Sequence, residues 1–309
     1  MATGKRQYVA SHFALELEQM GLVGFLRSAE GGGLKADILT YQQGSTQDNW
    51  RQAGRPKFDD ITVSVGMGLS PTFYTWISAF FERKGERRHG ALVTADFDYF
   101  EMARRTFTQA LISQVDLPAL DAAKSEAAYM SVKLVPEMVT FDPPKGKTQI
   151  SAPQGKNQPA KQWQCSNFGL TIHGFEDACS RVTKVEQFTI KQQILEYPSG
   201  HQRFPIRVAG KLEYPNIIFY VPSVDADKFT EAAKKRLVDF EAPSATRLTG
   251  AITYLTPTKQ TLCTVNLYGV DVIYAEPQKF EASADTLHTV KVQIQVERMD
   301  FKYEQQAIG

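Results

Sequence analysis

Apolar and polar residues alternate along much of this chain. Val290, Val292, Ile294 and Val296 are separated by Lys291, Gln293 and Gln295, and Ile61, Val63 and Val65 by Thr62 and Ser64. A period of two predicts strands with one buried face. By the same criterion strands are expected near 9–17, 35–41, 90–97, 103–112, 127–139, 166–172, 184–195, 206–221, 249–256 and 261–273. Two segments change to helical spacing. In SPTFYTWISAFFERK, Ser70 is positioned to cap, Pro71 opens the helix, and Phe73, Trp76, Ile77, Phe80 and Phe81 form one stripe. In DADKFTEAAKKRLV the stripe is Phe229, Ala232, Ala233 and Leu237, with Ser223 or Asp225 as the cap. Such stripes predict helices packed against a sheet.

The pattern occurs twice. Ser11–Leu17 aligns with Ser166–Ile172 at an offset of 155, and Lys57–Val63 with Glu213–Phe219 at 156. Gly90 with Gly250, Val132 with Val292, Glu137 with Glu297 and Phe141 with Phe301 all lie 160 apart. A slowly drifting offset is what loop insertions in a tandem duplication produce. Between the copies, 142–164 has four prolines, four lysines and no acid after Asp142, the composition of a linker. The expected organisation is a domain at 1–141, a linker at 142–164 and a domain at 165–309.

The order of three strands, a helix and long antiparallel strands resembles the T4-like phage tail tube family of contractile tails and injection systems. In the first half the resemblance is carried by Ala36–Gly44, Pro56–Gly66, Phe73–Trp76, Ala103–Ala110, Pro118 and Tyr129–Glu137. The second half keeps the layout but has Pro222 and Ala232 where the first has Gly66 and Trp76. The fold class implied is mainly β with α: two tandem tail-tube-like β-barrel or sandwich domains, each with one packing helix. The resemblance implies rings of six such domains around a lumen. A duplicated chain then needs three copies per ring, giving pseudo-sixfold appearance with true threefold symmetry.

Function follows as an expectation: a structural subunit of an inner tube, in stacked rings, with sheath, baseplate or spike and tape-measure proteins as partners and DNA or a protein effector as cargo. One alternative is a baseplate hub joining a sixfold tube to a threefold spike. Another is a carbohydrate-binding or enzymatic β-sandwich. Gly44–Arg55, GSTQDNWRQAGR, reads as a polar, flexible loop, and by resemblance it reaches the next ring. Trp50, Arg51 and Arg55 are its candidate contacts.

Charge and chemistry narrow the alternatives. Lys plus Arg (35) nearly balance Asp plus Glu (34), so no global basic field points to nucleic acid or an anionic membrane. No apolar run reaches membrane-spanning length, and MATGKRQYVASHF has no apolar signal core, so the chain is expected to stay in the cytoplasm where the particle assembles. Cys165, Cys179 and Cys263 have neither disulfide nor zinc spacing and are expected to be reduced and structural. Five scattered histidines, no nucleophile elbow, and Gly31–Gly33 without a P-loop frame suggest no catalytic, cofactor or metal residues. Asp96 and Asp98 are read as turn residues, and the basic run after Phe81 as a helix end.

Overall fold

The computed structural model of the chain describes residues 12–18, 21–42, 44, 49–143, 149–150, 163–201, 204–239, 247–278 and 288–304. The first half contains β1 (His12–Leu17), β2 (Gly21–Leu26), β3 (Ser28–Gly31), β4 (Leu34–Gln42), β5 (Asn49–Phe58), β6 (Ile61–Val65), α1 (Pro71–Phe81), β7 (Arg88–Ala95), β8 (Glu101–Leu117), β9 (Leu120–Asp121), β10 (Met130–Val135) and β11 (Met138–Asp142). The second contains β12 (Phe168–Ile172), α2 (Glu176–Cys179), β13 (Lys184–Val185), β14 (Phe188–Tyr197), β15 (Ile206–Glu213), β16 (Ile217–Pro222), α3 (Asp227–Leu237), β17 (Leu248–Leu255), β18 (Thr261–Pro277), β19 (Thr289–Gln295) and β20 (Arg298–Tyr303). The fold is mostly β, and every strand pairing is antiparallel.

Each half is organised by one bent strand. The N-terminal part of β8 pairs with β7 and β11, and its C-terminal part pairs with β10. β18 does the same with β17, β20 and β19. A change of partners midway lets one strand belong to two sheets and turn the corner of a near-closed barrel. The bend needs left-handed backbone, supplied at equivalent positions by Gln109 (φ 51) and Gly269 (φ 68). Gly90 and Gly250 allow the close approach of β7 to β1 and of β17 to β12. A Cβ on Gly90 would lie 2.3 Å from the Glu16 carbonyl oxygen, and one on Gly250 2.7 Å from that of Thr171.

Pairing registers coincide at most of the corresponding strands. Leu17 faces Gly90 as Ile172 faces Gly250, and Val132 faces Val63 as Val292 faces Phe219. Ile38 faces Ala53 as Ile194 faces Ala209, with the same bulge two residues earlier in each hairpin. The two halves share register and irregularities at these strands, but helix α2 stands in the second half where the first has β2.

Several local expectations need correction. The span 127–139 divides into β10 and β11, which follow one another along successive parts of β8, and 206–221 into β15, paired with β14, and β16, paired with β13 and β19. Ser70 precedes α1 but its hydroxyl makes no cap; its carbonyl accepts from Phe73 N at 3.0 Å. α3 is preceded by a 3-10 turn at Ser223–Asp225, which moves its cap to Ala226. Asp96 Oδ1 accepts from the amides of Asp98 (3.0 Å) and Phe100 (2.9 Å), the turn role expected of it. Trp163 is buried, and its carbonyl accepts from Ala128 N at 2.8 Å.

A single buried apolar cluster runs through both halves, from Leu15 and Trp76 to Val292 and Phe301. The outward positions of β19, Lys291, Gln293 and Gln295, are more exposed than Val290, Val292 and Ile294. This alternation is the one read from the sequence.

Candidate assembly interface

The halves meet along a seam built mainly from sheet pairing. β14 adds to the C-terminal edge of β8, with Phe188 opposite Leu117, Thr189 opposite Asp116, Ile190 opposite Val115 and Lys191 opposite Gln114. Thr189 Oγ1 donates to Asp116 Oδ1 at 2.7 Å, and Gln114 Nε2 donates to the same carboxylate at 2.8 Å. β9 of the first half pairs with β13 of the second. Ile190 and Val115 are fully buried by this arrangement.

Helix α1 crosses the seam and lies on β20. Tyr74 stacks on Tyr303 with ring centroids 4.2 Å apart, Phe81 stacks on Phe301 at 5.9 Å, and Ser78 Oγ donates to the Phe301 carbonyl at 3.0 Å. Burial pushes the Tyr74 phenol well above its ordinary pKa, so it stays neutral and donates to the Gly66 carbonyl at 2.8 Å.

Arg207 on β15 is the charged member of the seam. Its Nη1 and Nη2 lie 3.7 Å and 3.6 Å from Asp60 and Glu196 carboxylate oxygens. Its backbone N donates to Glu137 Oε1 at 3.0 Å, and its carbonyl accepts from Arg87 Nη2 at 2.6 Å. In the first half its place is taken by Arg51, which is exposed.

The hairpin β4–β5 matches β14–β15 residue for residue but pairs with no other strand among the described residues. Leu34 (61% exposed), Ile38 (67%), Tyr41 (52%) and Trp50 (67%) project from it. Here the structure corrects the expected loop at Gly44–Arg55: β5 begins at Asn49, so Trp50, Arg51 and Arg55 lie on a strand, with Trp50 opposite Tyr41 and Arg51 opposite Thr40. The polar surface of this strand disguised it in the sequence, and residues 45–48 lie outside the described set. Trp50, Arg51 and Arg55 are together on one hairpin strand, and among the described residues no strand other than β4 pairs with it.

A second cluster lies away from the seam. Arg104 Nη1 and Nη2 bond Glu16 at 2.5 and 3.1 Å, and Nε and Nη2 bond Glu101 at 2.9 and 2.8 Å. Those bonds, Glu101 first, raise the pKa of the guanidinium above its ordinary value. In the second half the three equivalent residues are Thr171, Thr261 and Thr264.

The cysteines are unpaired. Burial lifts Cys179 to about 11 and raises Cys263 further, so both remain thiols and unreactive. Among the described residues no group of three His, Cys, Asp or Glu side chains is placed to hold a metal, and no helix is long and apolar enough to cross a membrane.

Comparison with known proteins adds a similarity. Residues 9–140 match the model of the T4-like virus tail tube protein gp19. Over those residues the chain is similar to a tail tube protein. The match is thus to a structural protein and not to an enzyme. Similar solved structures are titled as the anti-feeding prophage tube-terminating cap (22% identity, 46% of this chain and 99% of that one, TM-score 0.39) and the PVC sheath–tube complex in its extended state (15%, 45% and 94%, 0.40). A third is the anti-feeding prophage baseplate (12%, 48% and 99%, 0.37). Each of these chains is covered almost completely by about half of this chain. No curated protein matches it.

Proposed function

We propose that the chain is a duplicated tail-tube subunit, with domains at 1–141 and 165–309 joined through 142–164, and that three copies form a ring of six domains in the inner tube of a phage tail or contractile injection particle. The observation that carries this is the shared register of the halves, of which the first matches a tail tube family. The halves sit side by side through sheet pairing, as ring neighbours must if a continuous barrel is to line a lumen. Stacked rings then form a conduit for DNA or a protein effector, with sheath outside and baseplate, spike and tape-measure proteins as neighbours, in a particle assembled in the cytoplasm.

A second reading is a hub joining a sixfold tube to a threefold spike. It is favoured by the chemical difference between the halves: the Glu16–Glu101–Arg104 cluster of one is three threonines in the other. A ring with alternating faces suits a threefold partner.

Electron microscopy of the purified chain with mass measurement separates the readings. Long tubes of threefold rings support a tube subunit, discrete rings support a hub, and a closed ring of six chains overturns the trimer. Trp50, with Arg51 and Arg55 beside it, is the proposed contact to the next ring. Trp50→Ala should shorten tubes while leaving ring mass and melting temperature unchanged. Tubes of undiminished length would rule that contact out. For Arg51 a competing placement is favoured by Arg207, its buried counterpart in the seam. Loss of ring closure rather than stacking in Arg51→Ala would assign it there.

A further inference from the structure

The seam inside the chain joins two different surfaces, β8 with α1 on the first half and β14 with β20 on the second. Because the halves repeat one another, the counterparts of both surfaces are present a second time, and no described strand pairs with them across the equivalent seam. The counterpart of β14 is β4, which among the described residues pairs only with β5. The counterpart of the C-terminal part of β8 is Tyr274–Pro277 of β18, which pairs with β19 on one side and with no described strand on the other. Head-to-tail interfaces of this kind leave the same two ends free on every copy and propagate until a ring closes.

Resting on the ring proposed above, we infer that β4 of one copy adds antiparallel to the open edge of β18 in the next copy, in the register of the internal seam. Transferring the internal pairs through the repeat puts Gly33 opposite Glu276, Leu34 opposite Ala275 and Lys35 opposite Tyr274. Pro277, at the place of Leu117, has no N–H and ends the ladder. The pairing explains an otherwise unfavourable exposure. Leu34 is 61% exposed, whereas Ile190 at the same place in the other hairpin is fully buried against Val115.

A second pair of surfaces agrees. Inside the chain, Phe81 of α1 is buried on Phe301 of β20. Their counterparts are Leu237, at the end of α3, and Phe141 on β11, 51% and 61% exposed. The copy that receives β4 on its β18 also presents Leu237 toward the Phe141 of that incoming copy. One occupant, a second copy of this chain, covers the open sheet edges and both exposed apolar residues.

Disulfide trapping tests the register. With Cys165 replaced by Ser and the buried Cys179 and Cys263 retained, Leu34→Cys/Ala275→Cys should give covalent dimers and closed trimers under mild oxidation. Lys35→Cys/Ala275→Cys, one residue out of register with side chains on opposite faces, should give none. Equal trapping of both pairs overturns the register. No trapping in particles that image as rings overturns it too but leaves the tube reading intact. A protein that stays monomeric by mass defeats both. In unmodified chains, amides 33–35 and 274–276 should exchange more slowly after assembly, and unchanged exchange there counts against the pairing.

Discussion

At the residue scale, the two halves act as controls for one another. Gln109 holds a left-handed conformation where Gly269 stands in the second half. A non-glycine residue there costs roughly 1 to 2 kcal/mol, partly offset by the entropy that glycine loses on folding. Gln109→Gly should therefore stabilise the chain and raise its melting temperature by about 1 to 3 °C. A melting temperature that falls would show that the Gln109 side chain contributes more than its backbone costs. Leu34 and Ile190 make the same kind of pair: equivalent positions in matching hairpins, one exposed and one buried, differ only in whether a neighbouring strand is present.

Among groups of neighbouring strands, the buried ion cluster distinguishes the halves. Arg104 on β8 is held between Glu16 of β1 and Glu101 of its own strand, and both Arg104 and Glu101 are almost fully buried. Removing the guanidinium leaves two carboxylates facing each other in a region that water reaches poorly. Arg104→Met should cost roughly 3 to 5 kcal/mol, read from chemical denaturation. The triple variant Glu16→Thr, Glu101→Thr and Arg104→Thr reproduces what the second half carries and should cost clearly less than the single one. Equal losses would mean that packing, not charge, sets the penalty.

Helices and strands differed in how readily the sequence disclosed them. Strongly alternating strands such as β6 and β19 were legible because one face is buried and the other wet. α1 and α3 were legible from their stripes. β5 was not, since Trp50, Arg51, Gln52 and Arg55 leave no period-two apolar face. Its strand character comes from pairing with β4, which a local pattern does not report. β2, β3 and β20 escaped notice too: each is six residues or fewer, too short for a strong local period, and is fixed by its pairing with β1, β6 and β18.

For the whole molecule, the seam matters more than the linker. A single apolar cluster spans both halves, α1 is buried on β20, and Val115 is covered by Ile190 across the boundary. The chain should therefore unfold in one transition, with far-UV circular dichroism and tryptophan fluorescence coincident. Two well-separated transitions would mean that the halves are energetically independent despite their shared core. The hairpin β4–β5 and the edge of β18 are predicted to gain protection only on assembly, since within one copy no described element covers them.

The sequence by itself determined the β-rich class and the helices α1 and α3, and it suggested a repeat at offsets of 155 to 160, because alternation, stripes and spacing are local properties that survive in one dimension. It also carried the family resemblance of the first half, later matched over residues 9–140. Tertiary structure alone decided that Gly44–Arg55 is half strand, that α1 rests on the other half, and that one hairpin is paired while its twin is free. Those outcomes depend on which edge meets which across more than a hundred residues, and pairing between distant strands leaves no periodic trace in either partner.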